Sequence, residues 1–201
     1  VTEATFGLPV FRHPPAAQEV GKLLRSLARF PDRAHAIGVY ALGKAQRLAA
    51  ELRRAGWDRP LFLHGALVKL FEVYESLGVD LGPWETATVA EKDRLRGEVV
   101  LAPPSALADR WARRLPDPVI AAASGWMRVR QRAKQRGVEL AMVISDHADW
   151  DELTDTVTET GAAQVWVTHG AEDALCRWCV LRGIDARPLA LAGRGAEDET
   201  G

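Results

Sequence analysis

Two short apolar segments, each ending in a histidine, most constrain the fold of this chain. The first runs from Leu140 to His147 and the second from Ala163 to His169. Both begin with apolar, partly β-branched residues and then become polar, which predicts buried strands that end at the histidines. Ligands collect at the carboxyl ends of strands in α/β sheets. We therefore expect His147 and His169 to share one site, although two histidines satisfied by their neighbours fit the spacing equally well.

The remainder of the chain alternates predicted strands with predicted helices. Helices are predicted over residues 16–30, 43–55, 68–77 and 105–115. Strands are predicted over residues 35–42, 61–63, 98–102 and 118–123, and a loop over 80–97. This alternation is typical of a parallel sheet covered by helices. The prediction is an α/β fold with helices on both faces of the sheet.

The amino-acid composition favours a chain with a buried core over the membrane and secreted classes of protein. A chain of 201 residues with 47% hydrophobic residues can bury a sizeable core in one or two domains. It has neither an apolar stretch of membrane-spanning length nor a signal-like start, which disfavours the membrane and secreted classes. Cys176 and Cys179 share one face of a predicted helix, without a second cysteine pair. We expect reduced core cysteines and a cytoplasmic location.

The net charge of −1 conceals a division along the chain. Residues 1–136 carry 22 Lys and Arg against 14 Asp and Glu, whereas residues 137–201 carry 4 against 13. The densest positive run is Arg128–Arg136, which has five cations and no acid. Such a run is either a solvated surface or a phosphate contact through Arg128, Arg130 and their neighbours.

Two further turns are candidates for contacting phosphate. Gly43 and Lys44 lie where a predicted strand turns into a helix, so free backbone N–H groups and a lysine charge would face an anion. Ser124 and Gly125 follow another predicted strand and pair a hydroxyl with a flexible backbone. A glycine retained for packing explains each turn equally well.

Five segments, in order and over nearly the whole chain, resemble motifs of metallo-β-lactamase-fold nucleases that carry a β-CASP insert. The segments are Thr2–Gly7, Gly38–Arg47, Ala123–Met127, Ser145–Trp150 and Val167–Gly170. They look closest to the bacterial branch of ligase-associated DNA exonucleases. The resemblance implies a β-CASP domain of parallel sheet and helices, joined to the carboxyl-terminal portion of an αββα core.

The resemblance also implies roles for individual residues. Glu3 would be the acid of the motif that opens the β-CASP region, and His147 would protonate the leaving 3′-oxygen with Glu3 as its partner. Asp149 would complete this catalytic group by orienting the loop or a neighbour of the metal site. His169 would be a zinc ligand. The family uses two zinc ions to activate water and to stabilise charge at phosphorus.

The same resemblance implies a domain organisation. Residues 1–14 would end a metallo-β-lactamase segment, and residues 15–137 would form the β-CASP domain. Residues 138–192 would return to the metallo-β-lactamase core, and residues 193–201 would be a disordered tail.

The family's other zinc ligands, in a His-x-His-x-Asp-His motif, lie upstream of its acidic motif and have no match here. One histidine cannot hold a zinc ion. We therefore expect the carboxyl-terminal part of a zinc-dependent DNA exonuclease of DNA repair, unable to hold zinc alone. Its partners would be nucleic acid, DNA rather than RNA, and a DNA ligase or a missing amino-terminal half. The alternatives are an RNA-processing β-CASP ribonuclease, an inactive nucleic-acid-binding fragment, and a domain acting on a small phosphorylated ligand.

Overall fold

The structure is a computed structural model that describes residues 1–135 and 137–189. Its contacts divide the chain into two units. The smaller unit combines Val1–His13 with His147–Gly201, and the larger unit is Pro14–Asp146. The tail predicted at residues 193–201 lies outside the described residues.

The described residues form short strands and helices in alternation. The strands are β1 (Thr2–Ala4), β2 (His35–Gly38), β3 (Leu61–Leu63), β4 (Trp84–Thr86), β5 (Val99–Ala102), β6 (Val119–Ala123), β7 (Leu140–Met142), β8 (Gln164–Gly170) and β9 (Asp185–Pro188). The α-helices are α1 (Ala16–Arg29), α2 (Lys44–Arg54), α3 (Gly65–Ser76), α4 (Pro104–Leu107), α5 (Arg130–Gln135), α6 (Trp150–Thr160) and α7 (Glu172–Val180). Short 3₁₀ helices cover Asp93–Leu95, Arg110–Arg114 and Gly125–Arg128. None of the described helices is long and apolar enough to cross a membrane.

The larger unit is built on a six-stranded sheet in the order β4-β3-β5-β2-β6-β7. Every neighbouring pair is parallel. The α/β class with a parallel sheet is therefore confirmed. The predicted return to the second domain at residue 138 differs from the structure, because β7 pairs with β6 and keeps residues 138–146 in the larger unit.

The central strands of this sheet are buried on both faces. Alternate residues of β2 point to opposite sides, so Ile37 packs with α1 and α2 while Ala36 belongs to the apolar cluster on the other face. Strand β5 repeats the pattern, with Leu101 in the first cluster and Val100 in the second. A strand covered on both faces requires a nearly continuous apolar run, which is why these strands are evident in the sequence.

The smaller unit has a parallel sheet in the order β1-β8-β9. Its core includes Val165 and Val167 of β8 together with Cys176 and Cys179 of α7. Both cysteines are buried, as expected. Burial raises the pKa of both thiols, so neither cysteine is suited to act as a nucleophile near neutral pH.

Several elements differ from the sequence prediction. The strand predicted over residues 35–42 ends at Gly38, and the predicted loop over 80–97 contains β4. The helix predicted over 105–115 is interrupted, because α4 ends at Leu107 and a 3₁₀ helix restarts where the Asp109 carboxylate accepts the N–H of Arg110. Strand β9 was not predicted, since it is short, polar and contains a proline.

A single arginine holds the chain that leads into β4. The Arg53 guanidinium donates to the carbonyl oxygens of Leu81 at 2.9 Å and Pro83 at 2.6 Å. It also donates to the carbonyls of Trp57 and Arg59, at 2.7 and 2.8 Å. Four backbone acceptors on two segments thus share one planar cation, a geometry that a lysine could not reproduce.

We expect Arg53→Ala to lower the free energy of unfolding by about 2–4 kcal/mol, since it leaves four carbonyls, two of them part-buried, without their charged donor. Arg54→Ala is the matched control. The Arg54 side chain is 71% exposed and pairs only with Glu51 among the described residues, so its loss should cost less than about 0.5 kcal/mol. Urea unfolding followed by circular dichroism measures both, and equal losses would contradict the role given to Arg53.

Candidate functional site

Glu3 and His147 meet in the smaller unit, although 144 residues separate them. The Oε1 atom of Glu3 lies 3.4 Å from the Nδ1 atom of His147, and the side chains are 33% and 53% exposed. The other carboxylate oxygen, Oε2, accepts the backbone N–H of Thr5 at 2.6 Å. The predicted proximity of Glu3 and His147 is confirmed. Backbone fixes one side of the carboxylate, and the other side faces the imidazole.

The aromatic ring of Phe6 supports this pair. Phe6 is 2% exposed, and its ring meets the His147 imidazole edge-on with 6.1 Å between centroids. The rings of Phe11 and His13 pack against Phe6 as well, at 5.1 and 4.8 Å. These contacts limit the orientations open to the imidazole. With Nδ1 directed at a carboxylate, Nε2 is the ring nitrogen that would serve a substrate.

His169 lies in β8, next to the residue that pairs with Glu3. The register of β1 with β8 matches Glu3 to Thr168 and Ala4 to Gly170, so His169 is the extra residue of a β-bulge. Its φ of 58° is in the left-handed region, which is unusual for a residue other than glycine. The side chain is exposed, and Nδ1 contacts the Thr168 hydroxyl at 3.1 Å. The bulge turns His169 away from the core.

The zinc ligand role predicted for His169 requires other ligands nearby. Within residues 1–135 and 137–189, no three or more His, Cys, Asp or Glu side chains are grouped so that they could hold a metal ion. A zinc ion in a protein needs three or four protein ligands. The described residues therefore do not fit a zinc ion.

The Asp149 carboxylate forms hydrogen bonds with the backbone of the smaller unit. Its Oδ1 atom accepts the N–H of Glu152 at 3.0 Å, and Glu152 accepts the N–H of Asp149 at 2.9 Å, which forms a capping box for α6. Its Oδ2 atom accepts the N–H of His13 at 2.6 Å. Both carboxylate oxygens of Asp149 therefore accept backbone N–H groups, which fixes the loop after His147. The grouping of Asp149 with Glu3 and His147 in catalysis stays a prediction.

In the larger unit, Gly43 and Lys44 begin α2 as the sequence predicted. Gly43 has a φ of 79°, a conformation that favours glycine. The position where its Cβ would be lies 3.5 Å from the Asp146 carboxylate, so an acid already faces this helix start. Arg47 forms an ion pair with Asp146 at 3.9 Å and donates to the carbonyl of Ser145.

Lys44 is buried, with 4% of its surface exposed, and its ammonium lies 4.8 Å from the centre of the Tyr40 ring. Among the described residues, no carboxylate is within ion-pair distance of it. Burial lowers the pKa of Lys44, while the nearby Asp146 charge opposes that shift and Arg47 adds to it. Lys44 is thus a buried cation that is stabilised by a cation–π contact with the Tyr40 ring.

The other predicted phosphate contacts follow β6. The Ser124 hydroxyl accepts the N–H of Trp126 at 3.3 Å and so caps a 3₁₀ helix, in which Gly125 is buried. Arg128 and Arg130 are exposed, as is Lys134. Arg136 and the side chain of Arg132, which belong to the same positive run, are outside what the structure describes.

Two other histidines have structural positions. His35 is fully buried in β2, with Nε2 2.9 Å from the Ser26 hydroxyl, and burial lowers its pKa. His64 caps α3 by accepting the N–H of Ala66 at Nδ1.

The contacts of four residues near the candidate sites were not predicted from the sequence, namely those of Thr5, Phe6, Tyr40 and Arg47. Thr5 binds Glu3 through its backbone N–H, a group that does not depend on the type of side chain. Arg47 lies three residues after Lys44, so helical spacing places both on the first turns of α2 and could have indicated a shared site.

We expect neutral His147 to carry its proton on Nδ1, because that atom faces the Glu3 carboxylate. His64 is an internal control with the opposite tautomer, since its Nδ1 accepts a hydrogen bond. Long-range ¹H–¹⁵N NMR of ¹⁵N-histidine-labelled protein distinguishes the two. Glu3→Ala should reduce the Nδ1–H population of His147 and leave His64 unchanged. An Nε2–H tautomer of His147 in the unaltered protein would refute the pairing.

Gly170 allows β1 to approach β8. A Cβ at Gly170 would lie 2.1 Å from the Ala4 carbonyl oxygen, and its φ is 88°. We expect Gly170→Ala to be less stable than Gly161→Ala by about 1–3 kcal/mol, the typical cost of overpacking. Gly161 is the control because its φ of 59° brings similar backbone strain, with nothing within 4 Å of the added methyl group. Urea midpoints that fall equally would show that β1 tolerates the methyl group.

Comparison with known proteins gives a partial match. No family model matches the chain. A protein of Opitutus terrae (strain DSM 11246 / JCM 15787 / PB90-1) named "Probable DNA ligase" is 30% identical over 192 residues, 92% of this chain. The chain spans 18% of that protein's length.

A solved structure of a protein of unknown function from Enterococcus faecalis V583 resembles the chain in fold alone. Its TM-score is 0.50 at 12% identity, and the match covers 94% of this chain and 48% of that one.

Proposed function

We propose that this chain is part of a DNA phosphodiesterase, an exonuclease of the ligase-associated class, in which His147 protonates the departing oxygen. The observation that carries the proposal is the 3.4 Å contact between Glu3 and His147, with the far side of the Glu3 carboxylate held by the Thr5 N–H. A half-exposed histidine oriented by a fixed carboxylate is suited to general acid catalysis.

An oxygen of water bonds to phosphorus while the P–O3′ bond breaks, and O3′ leaves with both electrons of that bond. It takes the proton from Nε2 of the His147 imidazolium, and the proton released by water passes to solvent. The ring then regains a proton for the next cycle. Glu3 is a positioning residue, because it acts on the substrate through His147.

The choice of DNA is supported by the similarity to a protein named a probable DNA ligase. Because this chain matches only 18% of that protein, the match concerns a segment and carries no activity across. An exonuclease and a ligase act on the same strand ends, one by removing nucleotides and one by joining them. We therefore propose a DNA ligase as a partner, along with an amino-terminal segment that supplies the remaining zinc ligands.

Exposed positive charge gives the chain a means of holding nucleic acid. Arg128, Arg130 and Lys134 lie close together in the sequence, and all three are exposed. Cations of this kind attract a phosphate backbone without reading its sequence. The segment is therefore proposed to hold the strand rather than to select it.

Binding without chemistry is the second candidate. It is favoured by the lack of a metal-ligating group among the described residues. Under this alternative the basic segment still binds nucleic acid, and the Glu3–His147 pair is structural. An activity assay separates the two candidates.

We expect the chain alone to leave labelled DNA intact in zinc or manganese, and to support cleavage once a segment carrying the His-x-His-x-Asp-His motif is added in trans. In the reconstituted assay, His147→Ala should slow cleavage by about 10²–10⁴-fold, the usual contribution of general acid catalysis. Glu3→Gln should also slow it and alter its pH profile. The control Glu159→Gln, at an exposed position of α6, should do neither.

Labelled RNA of the same sequence tests the β-CASP ribonuclease alternative in the same assay. Faster cleavage of RNA than of DNA would favour that alternative. Robust cleavage by the chain alone, abolished by His169→Ala, would overturn the interpretation of the missing ligands. Reconstituted cleavage that survives both His147→Ala and Glu3→Gln would exclude the proposed proton donor.

Binding is expected to be weak and to weaken steeply with salt. Each neutralised phosphate contributes about 0.7 to the log–log salt slope for single strands and about 0.9 for duplex. Reversing both Arg128 and Arg130 to Glu should therefore reduce the slope by roughly 1.4–1.8. Fluorescence anisotropy with labelled oligonucleotides measures this effect.

The matched control for that experiment reverses Arg25 and Arg54, which are exposed on α1 and α2. This control changes the net charge equally but lies outside the basic segment. If both double variants reduce the slope by the same amount, net charge alone explains binding. No binding at low salt would mean that the segment is only a solvated surface.

A further inference from the structure

A cavity of about 620 Å³ opens in the larger unit at the carboxyl ends of β2, β5 and β6. Gly38, the last residue of β2, and Tyr40 beyond it line one side of the cavity, and residues 120–124, at the end of β6 and just after it, line another. Most of the remaining wall comes from the segment 103–108, which follows β5. Its volume falls in the range of small-molecule sites.

The sheet topology explains why a cavity forms here. After β2 the chain runs through α2 to β3 on one side of the sheet, whereas after β6 it continues to β7 on the other side. Strands β2 and β6 are neighbours, so their connections diverge and leave a crevice between them. Ligands of parallel α/β sheets bind at such points.

The lining combines apolar walls with three hydroxyl groups. Pro104, Leu107 and Ile120 contribute apolar surface, and the hydroxyls belong to Tyr40, Ser105 and Ser124. None of the described residues that line the cavity carries a negative charge. This surface suits a flat, largely apolar group that has polar edges.

Tyr40 specifies the class of ligand further. It lines the cavity and is 63% exposed, so its ring can take a stacking partner. A nucleobase is such a partner, because it is flat, has a π-face and has polar edges.

We propose that this cavity binds the base of the terminal nucleotide of a DNA strand, stacked on Tyr40. The proposal rests on the proposed function and adds to it the recognition of a strand end. Stacking tolerates any base because every base has a π-face, so the cavity would select an end rather than a sequence.

The test compares two single-stranded oligonucleotides that differ only in whether the terminal nucleotide carries its base. Stacking of one base is worth about 1–3 kcal/mol, so the terminal abasic strand should bind about 5–150-fold more weakly. Tyr40→Ala should remove this difference, and Tyr40→Phe should retain it. Ala108→Trp, at an exposed position of the cavity wall, should also remove it. Ala55→Trp, at an exposed position outside the lining, is the control.

Binding of the mononucleotides dAMP and dTMP, measured by calorimetry, forms a second arm that does not depend on the proposed nuclease. Salt-dependent binding that is equal for the two oligonucleotides would overturn the base site and leave the proposed function intact. Lack of oligonucleotide binding would contradict the proposed function. If oligonucleotides do not bind but mononucleotides do, and Tyr40→Ala abolishes mononucleotide binding, the result would still support a nucleotide site in the cavity. If the unaltered chain binds neither oligonucleotides nor mononucleotides, the cavity proposal would be overturned as well.

Discussion

The parallel pairing of β1 with β8 is the interaction on which the candidate site depends. It matches Thr2 to Val167 and Glu3 to Thr168, and so brings the acid of β1 to the strand that carries His169. The Ala4 carbonyl reinforces the junction by accepting the N–H groups of Gly7 and Ala171, both at 2.9 Å. Without this pairing, Glu3 would have no fixed position relative to His147.

The features that could be predicted from the sequence are those that burial dictates. Strands β2, β5 and β6 sit at the centre of the sheet, and their apolar runs are close to continuous. The strands at the edges of the sheet have less distinctive sequence patterns. Strand β4 contains a single apolar residue, Trp84, and is held by the Arg53 hydrogen bonds to the chain before it, so long-range backbone contacts decide its conformation.

The candidate site could be predicted only in part. The proximity of Glu3 and His147 followed from resemblance to a family, because no periodicity links residues so far apart. The hydrogen bonds of Asp149 could not be foreseen in full, since one of its oxygens caps α6 and the other binds His13, which is distant in sequence. The acid beside Gly43 also required the structure, as Asp146 reaches α2 through tertiary contacts.

The insertion of the larger unit between the two parts of the smaller one has a consequence for biosynthesis. Thr2 of β1 pairs with Val167 of β8, so the ribosome must add 165 more residues after Thr2 before that pair can form. At about 5–20 residues per second, that interval is roughly 8–30 s. During it the larger unit can complete its own sheet, while Thr2–Ala4 is an unpaired strand. Its length of three residues and the charge of Glu3 limit incorrect pairing, as short, charged strands resist edge-to-edge association.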